Sequence, residues 1–145
     1  MVAVADGDTL TLLDDEHRQH KVRLSGIDAP ERRQAYGERA KRHLAELAHG
    51  KSAVVEWSRR DRYGRIVGRV LLLQCKGAEC LYTTDVGLEQ LKAGLAWHYK
   101  QYAKAQPPGE RVRYAWFEQQ ARAHREGLWK EAEPVPPWQF RKPLA

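Results

Sequence analysis

Residues 2–13 read Val2-Ala3-Val4-Ala5-Asp6-Gly7-Asp8-Thr9-Leu10-Thr11-Leu12-Leu13, and this stretch sets the class of fold. Two short runs of strand-forming character, the second alternating threonine with leucine, flank an Asp-Gly-Asp punctuation, which is the pattern of two strands joined by a turn. Working outward, Asp14-Asp15-Glu16 closes the second strand, and residues 21–27 form a third with Val22, Leu24 and Ile27 pointing inward. Residues 52–57 and 66–74 read as two more, separated by the polar turn Arg59-Arg60-Asp61-Arg62-Tyr63-Gly64. A meander of about five strands is the count of an OB-type barrel.

Helical periodicity takes over between and after these strands. Residues 38–48 place Ala40, Leu44, Leu47 and Ala48 on one stripe, with Gly50 past the end. Asp85 is placed to cap a short helix carrying Val86, Leu88 and Leu91 and stopping at Gly94. Residues 110–126 form a third, expected to turn Val112, Ala115, Trp116 and Gln119 toward the barrel. Pro134-Val135-Pro136-Pro137 then forbids further helix, so the tail is expected to wrap the surface in extended form. The expected architecture is α+β, mainly β: a five-stranded barrel with three packed helices. Residues 1–130 make up its single domain, and residues 131–145 form a proline-rich extension packed on it or trailing from it.

Lysine and arginine number 25 against 19 acidic residues, a net charge of +6, so the surface field favours polyanionic partners. No apolar run reaches membrane-spanning length. Met1-Val2-Ala3-Val4-Ala5 reads as a strand already under way, which leads us to expect that a targeting segment has been removed. Cys75 and Cys80 are spaced to close a disulfide over a hairpin tip. An oxidised pair suits a periplasmic or secreted protein, whereas two separate thiols suit the cytoplasm, and the spacing leaves both open. A monomer is the simplest expectation.

Two acidic clusters stand out, Asp6-Gly7-Asp8-Thr9 and Asp28-Ala29-Pro30-Glu31. Taken singly, the first is an ordinary turn and the second an ordinary helix start. If their strands are neighbours, Asp8 and Asp28 converge, and oxygen ligands alone select calcium or magnesium over zinc. Arg23, in the strand leading to Asp28, and Arg65, after the Asp61 turn, are placed to hold a phosphodiester beside that cation. Their ordinary readings are a snorkelling barrel residue and an exposed turn residue.

Val4-Ala5-Asp6-Gly7-Asp8-Thr9, the run from Val22 through Ile27-Asp28-Ala29-Pro30-Glu31, and Asp61-Arg62-Tyr63-Gly64-Arg65 resemble, in order and spacing, the signatures of the staphylococcal nuclease family. Gly94-Leu95-Ala96-Trp97 and Gly127-Leu128-Trp129 extend the resemblance across most of the chain. It implies an OB barrel with three helices and a calcium-dependent nuclease acting on DNA and RNA. By that similarity Asp8 and Asp28 ligate Ca2+ with the backbone carbonyl of Ala29, where the family often has threonine, and Asp6 stands behind them. Glu31 matches the proposed general base, and Arg23 and Arg65 the phosphate-binding arginines. Tyr63, Trp97 and Tyr99 match rings that face the nucleotide, while Trp116, Trp129 and Trp138 read as packing residues. Arg32, Arg33, Lys41, Arg42, Arg59, Arg60 and Arg62 would track the phosphate backbone if they line one face. The competing reading is a barrel of the same fold that binds nucleic acid or protein without cutting; the full acid and arginine set argues against it.

Overall fold

The computed structural model describes residues 3–142, apart from the side chains of Ser58 and Tyr102. Val2, the first residue of the expected opening strand, lies outside the described residues. The strands are β1 (Ala3–Asp6), β2 (Thr9–Leu13), β3 (Gln19–Leu24), β4 (Ile27–Asp28), β5 (Ala53–Arg60), β6 (Ile66–Lys76), β7 (Glu79–Asp85) and β8 (Trp97–His98). The helices are α1 (Gly37–Ala48), α2 (Val86–Lys92), α3 (Pro108–Ala123) and α4 (Pro137–Phe140), with 3-10 turns at Lys100–Ala105 and Gly127–Lys130.

The main sheet runs β1-β2-β3-β6-β5, and β7 also pairs with β6. This is not a simple meander. β6 is 11 residues long and gives one edge to β5. Its other edge is shared between β3, in parallel at Ile66–Gly68, and β7, antiparallel from Leu71 onward. β1 and β5 are the ends of the order, and no ladder joins them among the described residues, so the sheet does not close as the expected barrel would. Alternation along β6 turns Ile66, Gly68, Val70 and Leu72 inward. Ile66, Val70 and Leu72 share a core with Leu10, Val22, Leu24 and Ile27 from the other strands and Ala40, Leu44, Val86 and Leu91 from α1 and α2.

Three expectations need correction. The strand expected over residues 21–27 breaks in two, because Gly26 sits at φ +80° and the space a Cβ would need is filled by the Gln106 amide. β4 then leaves the main sheet and pairs with β8, Ile27 opposite His98 and Asp28 opposite Trp97. On α3 the buried residues are Tyr114, Glu118 and Ala121. The apolar stripe expected there is wrong: Val112 and Trp116 are 69% and 54% exposed, because the helix docks through the Tyr114 hydroxyl, which bonds Asp85 at 2.8 Å. The proline tail carries a short helix, since proline fits the first turn, where its missing N–H needs no partner.

β7 escapes the sequence pattern because nearly all of it is exposed and shows no alternation. Cys75 and Cys80 face each other across the β6–β7 hairpin and are joined by a disulfide. No helix of the described residues is long and apolar enough to cross a membrane.

Buried His98 gives the fold a pH dependence. Its Nε2–H meets the Gln106 carbonyl oxygen at 2.6 Å, and the Lys100 ammonium donates to Nδ1 at 2.9 Å, so the ring is neutral. Burial holds its pKa below the ordinary 6.5; the Gln106 bond opposes that shift, and Lys100 adds to it. A pKa lower in the folded than in the unfolded state means the contribution is complete above the unfolded value and drains as the pH falls through the folded one. The unfolding midpoint is expected to fall as pH drops below about 6.5, and to fall less in His98→Gln. Parallel curves for the two proteins would remove His98 as the cause.

Candidate active site

The β1–β2 turn is fixed from several sides. Gly7 lies so close to α1 and β4 that a Cβ would come within 2.6 Å of the Ala40 methyl and 2.8 Å of the Ala29 methyl. Gln90 of α2, fully buried, donates from its amide to the Gly7 carbonyl at 2.8 Å and the Ala40 carbonyl at 3.0 Å, and its oxygen meets His43 Nδ1. Asp8 is aimed by the same frame. Its backbone N–H donates to Asp6 Oδ1, while its carboxylate accepts from Thr9 Oγ1 at 3.1 Å and from the Ala29 N–H at 2.8 Å.

Cross-strand register sets Arg23 opposite Thr9, and hence beside Asp8. Arg23 Nη1 donates to the carbonyls of Leu24 and Ile27 at 2.6 and 3.0 Å. Nη2 lies 3.3 Å from Asp28 Oδ1 and 3.5 Å from Asp8 Oδ2. The guanidinium thus bridges the two carboxylates that sequence spacing suggested would converge. Asp28 is completely buried at the β4–β8 pair.

A second guanidinium arrives from the tail. Arg141, just past α4, puts Nη1 and Nη2 on the two Asp28 oxygens at 3.0 and 2.6 Å, and Nη1 also reaches Glu31 Oε1 at 2.6 Å. Its arm is anchored by Trp138, which stacks on Tyr99 at 5.4 Å and meets Trp97 edge-on at 5.5 Å. The Gln34 side chain holds the Val135 carbonyl.

The charges are unevenly held. Burial, with the charge of Asp8 beside it, pushes the Asp6 carboxyl up to about 7. Asp8 is also desolvated, but Arg23 and the bonds from Asp6, Ala29 and Thr9 hold it below the ordinary carboxylate value. Burial raises Asp28, against its bonds to Arg141, and the charge of Asp8 raises it further.

Among the described residues no group of three His, Cys, Asp or Glu side chains is placed to hold a metal ion. The donors that converge are the carboxylates of Asp8 and Asp28, both hard oxygen donors; Arg23 bridges the pair and Arg141 occupies Asp28. That donor chemistry fits calcium or magnesium and does not fit zinc.

Asp8, Arg23, Glu31, Tyr63, Arg65 and Tyr99 line one open groove of about 1100 Å³. Arg65 is held away from the carboxylate pair, its Nε on Asp61 Oδ2 at 2.6 Å, and Tyr63 is 69% exposed with the Arg62 guanidinium over its ring. Trp97 does not line the groove. Its ring is buried against Trp129 and Trp138, with Arg122 beside it, so a nucleotide-facing surface is not available there. Of the basic run, Arg59, Arg60 and Arg62 line the groove, and Arg32, Arg33, Lys41 and Arg42 do not.

Gln90 and Arg141 are the residues that sequence reasoning misses. Neither has a local signal: Gln90 interrupts an apolar helix face, and Arg141 follows a proline tail. Removing the Gln90 amide strands buried partners, so Gln90→Leu is expected to cost about 2 kcal/mol, read as a lowered denaturant midpoint. Gln90→Glu, which keeps the shape and loses the donors, should cost as much; an unchanged midpoint in both would dismiss the clamp.

Residues 21–131 match the family model described as "Staphylococcal nuclease homologue". The chain is 38% identical over 144 residues to a micrococcal nuclease of Shigella flexneri, covering 98% of this chain and 79% of that protein. It is 38% identical over 144 residues to an uncharacterized endonuclease of Escherichia coli, covering 97% and 82%. To protein ParB of Escherichia coli it is 37% identical over 142 residues, covering 98% and 77%.

Proposed function

From the premise that this chain belongs to the staphylococcal nuclease family, we propose that it is a calcium-dependent nuclease hydrolysing phosphodiester bonds of DNA, RNA or both. The observation that carries the reading is the buried Asp8–Asp28 pair, bridged by Arg23, with Asp8, Arg23 and Glu31 lining a groove that also carries arginines and rings. A polyanion is repelled by two carboxylates, and the reading places a cation between them and the substrate.

Asp8 and Asp28 would hold calcium with the Ala29 carbonyl, and Asp6, bonded to the Asp8 N–H, would steady that turn. Calcium held there supplies fixed positive charge next to the scissile phosphate. Glu31 is the carboxylate that accepts the proton of the attacking water. The water oxygen bonds to phosphorus, the bond to the 5′ oxygen breaks, and that oxygen takes up a proton from solvent, which leaves a 3′-phosphate. Arg23 and Arg65 offset the charge that accumulates on the phosphoryl oxygens. Tyr63 and Tyr99 offer ring faces to the bases, and Arg62 offers charge to the backbone. The Cys75–Cys80 disulfide supports an oxidising compartment, the periplasm or outside the cell.

The test is release of acid-soluble nucleotides from denatured DNA with calcium, with excess chelator, and with Glu31→Gln in parallel. Calcium-dependent release that collapses in the folded variant is the expected result. Absence of release by folded wild type under any divalent ion would mean a domain that binds without cutting.

A further inference from the structure

The groove holding the proposed reaction site extends past it. Its volume of about 1100 Å³ exceeds the roughly 300–1,000 Å³ usual for a site built around one small ligand. The extension is walled by the end of β5 and the turn that follows, where Trp57, Arg59, Arg60, Arg62, Tyr63 and Arg65 all face the groove.

Two rings on that wall are open to solvent: Trp57 is 54% exposed and Tyr63 69%. Each carries guanidinium charge. Arg60 lies 5.7 Å from the Trp57 ring centre, and Arg62 and Arg65 lie 5.0 and 5.5 Å from that of Tyr63. The β5 strand shifts register between Trp57 and Arg59. Opposite Trp57 stands Gly68, where a Cβ would come within 3.0 Å of the Trp57 Cβ, so the strand partner leaves the indole room. The acids on this wall are already engaged, Glu56 by Arg69 at 2.6 Å and Asp61 by Arg65 at 2.6 Å, which leaves the field toward the groove positive.

A ring with a guanidinium beside it offers one face for a base and one charge for a phosphate. The unit occurs twice here. Tyr63 with Arg62 and Arg65 is the one whose ring the proposed function already offers to a base. We infer that Trp57 with Arg60 forms a second nucleotide subsite, which makes the preferred substrate a single strand of more than two nucleotides. A base stacks on an indole only when it has left its own helical stack, so a duplex cannot use this subsite without local melting. Stacking on a ring face also predicts tolerance of base identity. This inference rests on the nuclease reading for what the groove holds, but its test reads binding.

In a Glu31→Gln background with calcium present, anisotropy of a labelled ten-nucleotide thymidine strand should report about tenfold or greater weakening for Trp57→Ala. Trp57→Phe should keep most of the affinity. Competition by the dinucleotide dTpdT, and binding of a ten-base-pair duplex, should be unchanged by either substitution. Equal losses for the dinucleotide and the long strand, or no loss for the long strand, would overturn the subsite. Since Trp57 is largely exposed, the variants should keep the parent's unfolding midpoint, and a fall in it would assign the indole to packing and sink the inference. Strand binding that depends on Trp57 in a wild-type protein without hydrolytic activity would keep this subsite and dismiss the nuclease.

Discussion

Arg23→Ala is expected to lower turnover on denatured DNA by about 10³-fold, the usual loss when a fixed positive group facing transition-state charge is removed. It should also destabilise the fold without calcium. The guanidinium supplies two backbone carbonyls and two buried carboxylates with donors, and its loss leaves Asp8 and Asp28 close together without the charge between them. Breaking a buried pair from one side costs about 3–5 kcal/mol. These effects separate on adding calcium. A divalent ion held by the same carboxylates restores the missing positive charge, so the rise in unfolding temperature on adding calcium should be larger in the variant than in wild type, while turnover stays low. Arg23→Lys should recover stability in part and turnover hardly at all, because an ammonium cannot reach both carbonyls and both carboxylates as a planar fork does. Activity within tenfold of wild type would take Arg23 out of the reaction.

What the sequence disclosed depended on how local each signal was. Val22 and Leu24 were legible as inward-facing because alternation is written along a strand, and Asp85 as a cap because capping spans three residues. The convergence of Asp8 and Asp28 could be stated only conditionally: it requires the Arg23–Thr9 register and the bond from the Ala29 N–H to Asp8, contacts 14 and 21 residues apart. The α3 stripe was misread because Tyr114 and Glu118 are buried for their polar ends, Tyr114 on Asp85 and Glu118 on the His98 N–H, and a hydrophobicity pattern ranks neither above Val112. The exposed strand β7 left no periodicity to find. Arg141 is the extreme case, reaching Asp28 across 113 residues from a tail whose sequence says only that it cannot be a long helix.

Arg141→Ala is expected to tighten calcium binding by about 10- to 100-fold, the range of a charge-assisted, two-point hydrogen bond removed from competition. Both Asp28 oxygens are occupied by the Arg141 guanidinium and Glu31 shares it, so a cation that uses Asp28 must first displace that group. The direction is set by charge: the exchange is between a held monovalent cation and a divalent one, and deleting the first leaves the carboxylates uncompensated. Two side effects follow from the same contacts. The calcium-free variant should unfold at a lower temperature, and the gap should close as calcium is added. Trp138→Ala should act in the same direction with a smaller effect, since it loosens the arm at Tyr99 and leaves the guanidinium in the chain. Calorimetric titration with calcium on the full chain measures all three proteins. Unchanged affinity in Arg141→Ala would mean that the guanidinium is too exposed, at 40% of its surface, to hold its ground against solvent. Weaker binding would mean that Arg141 organises Asp28 and Glu31 for the cation instead of competing with it.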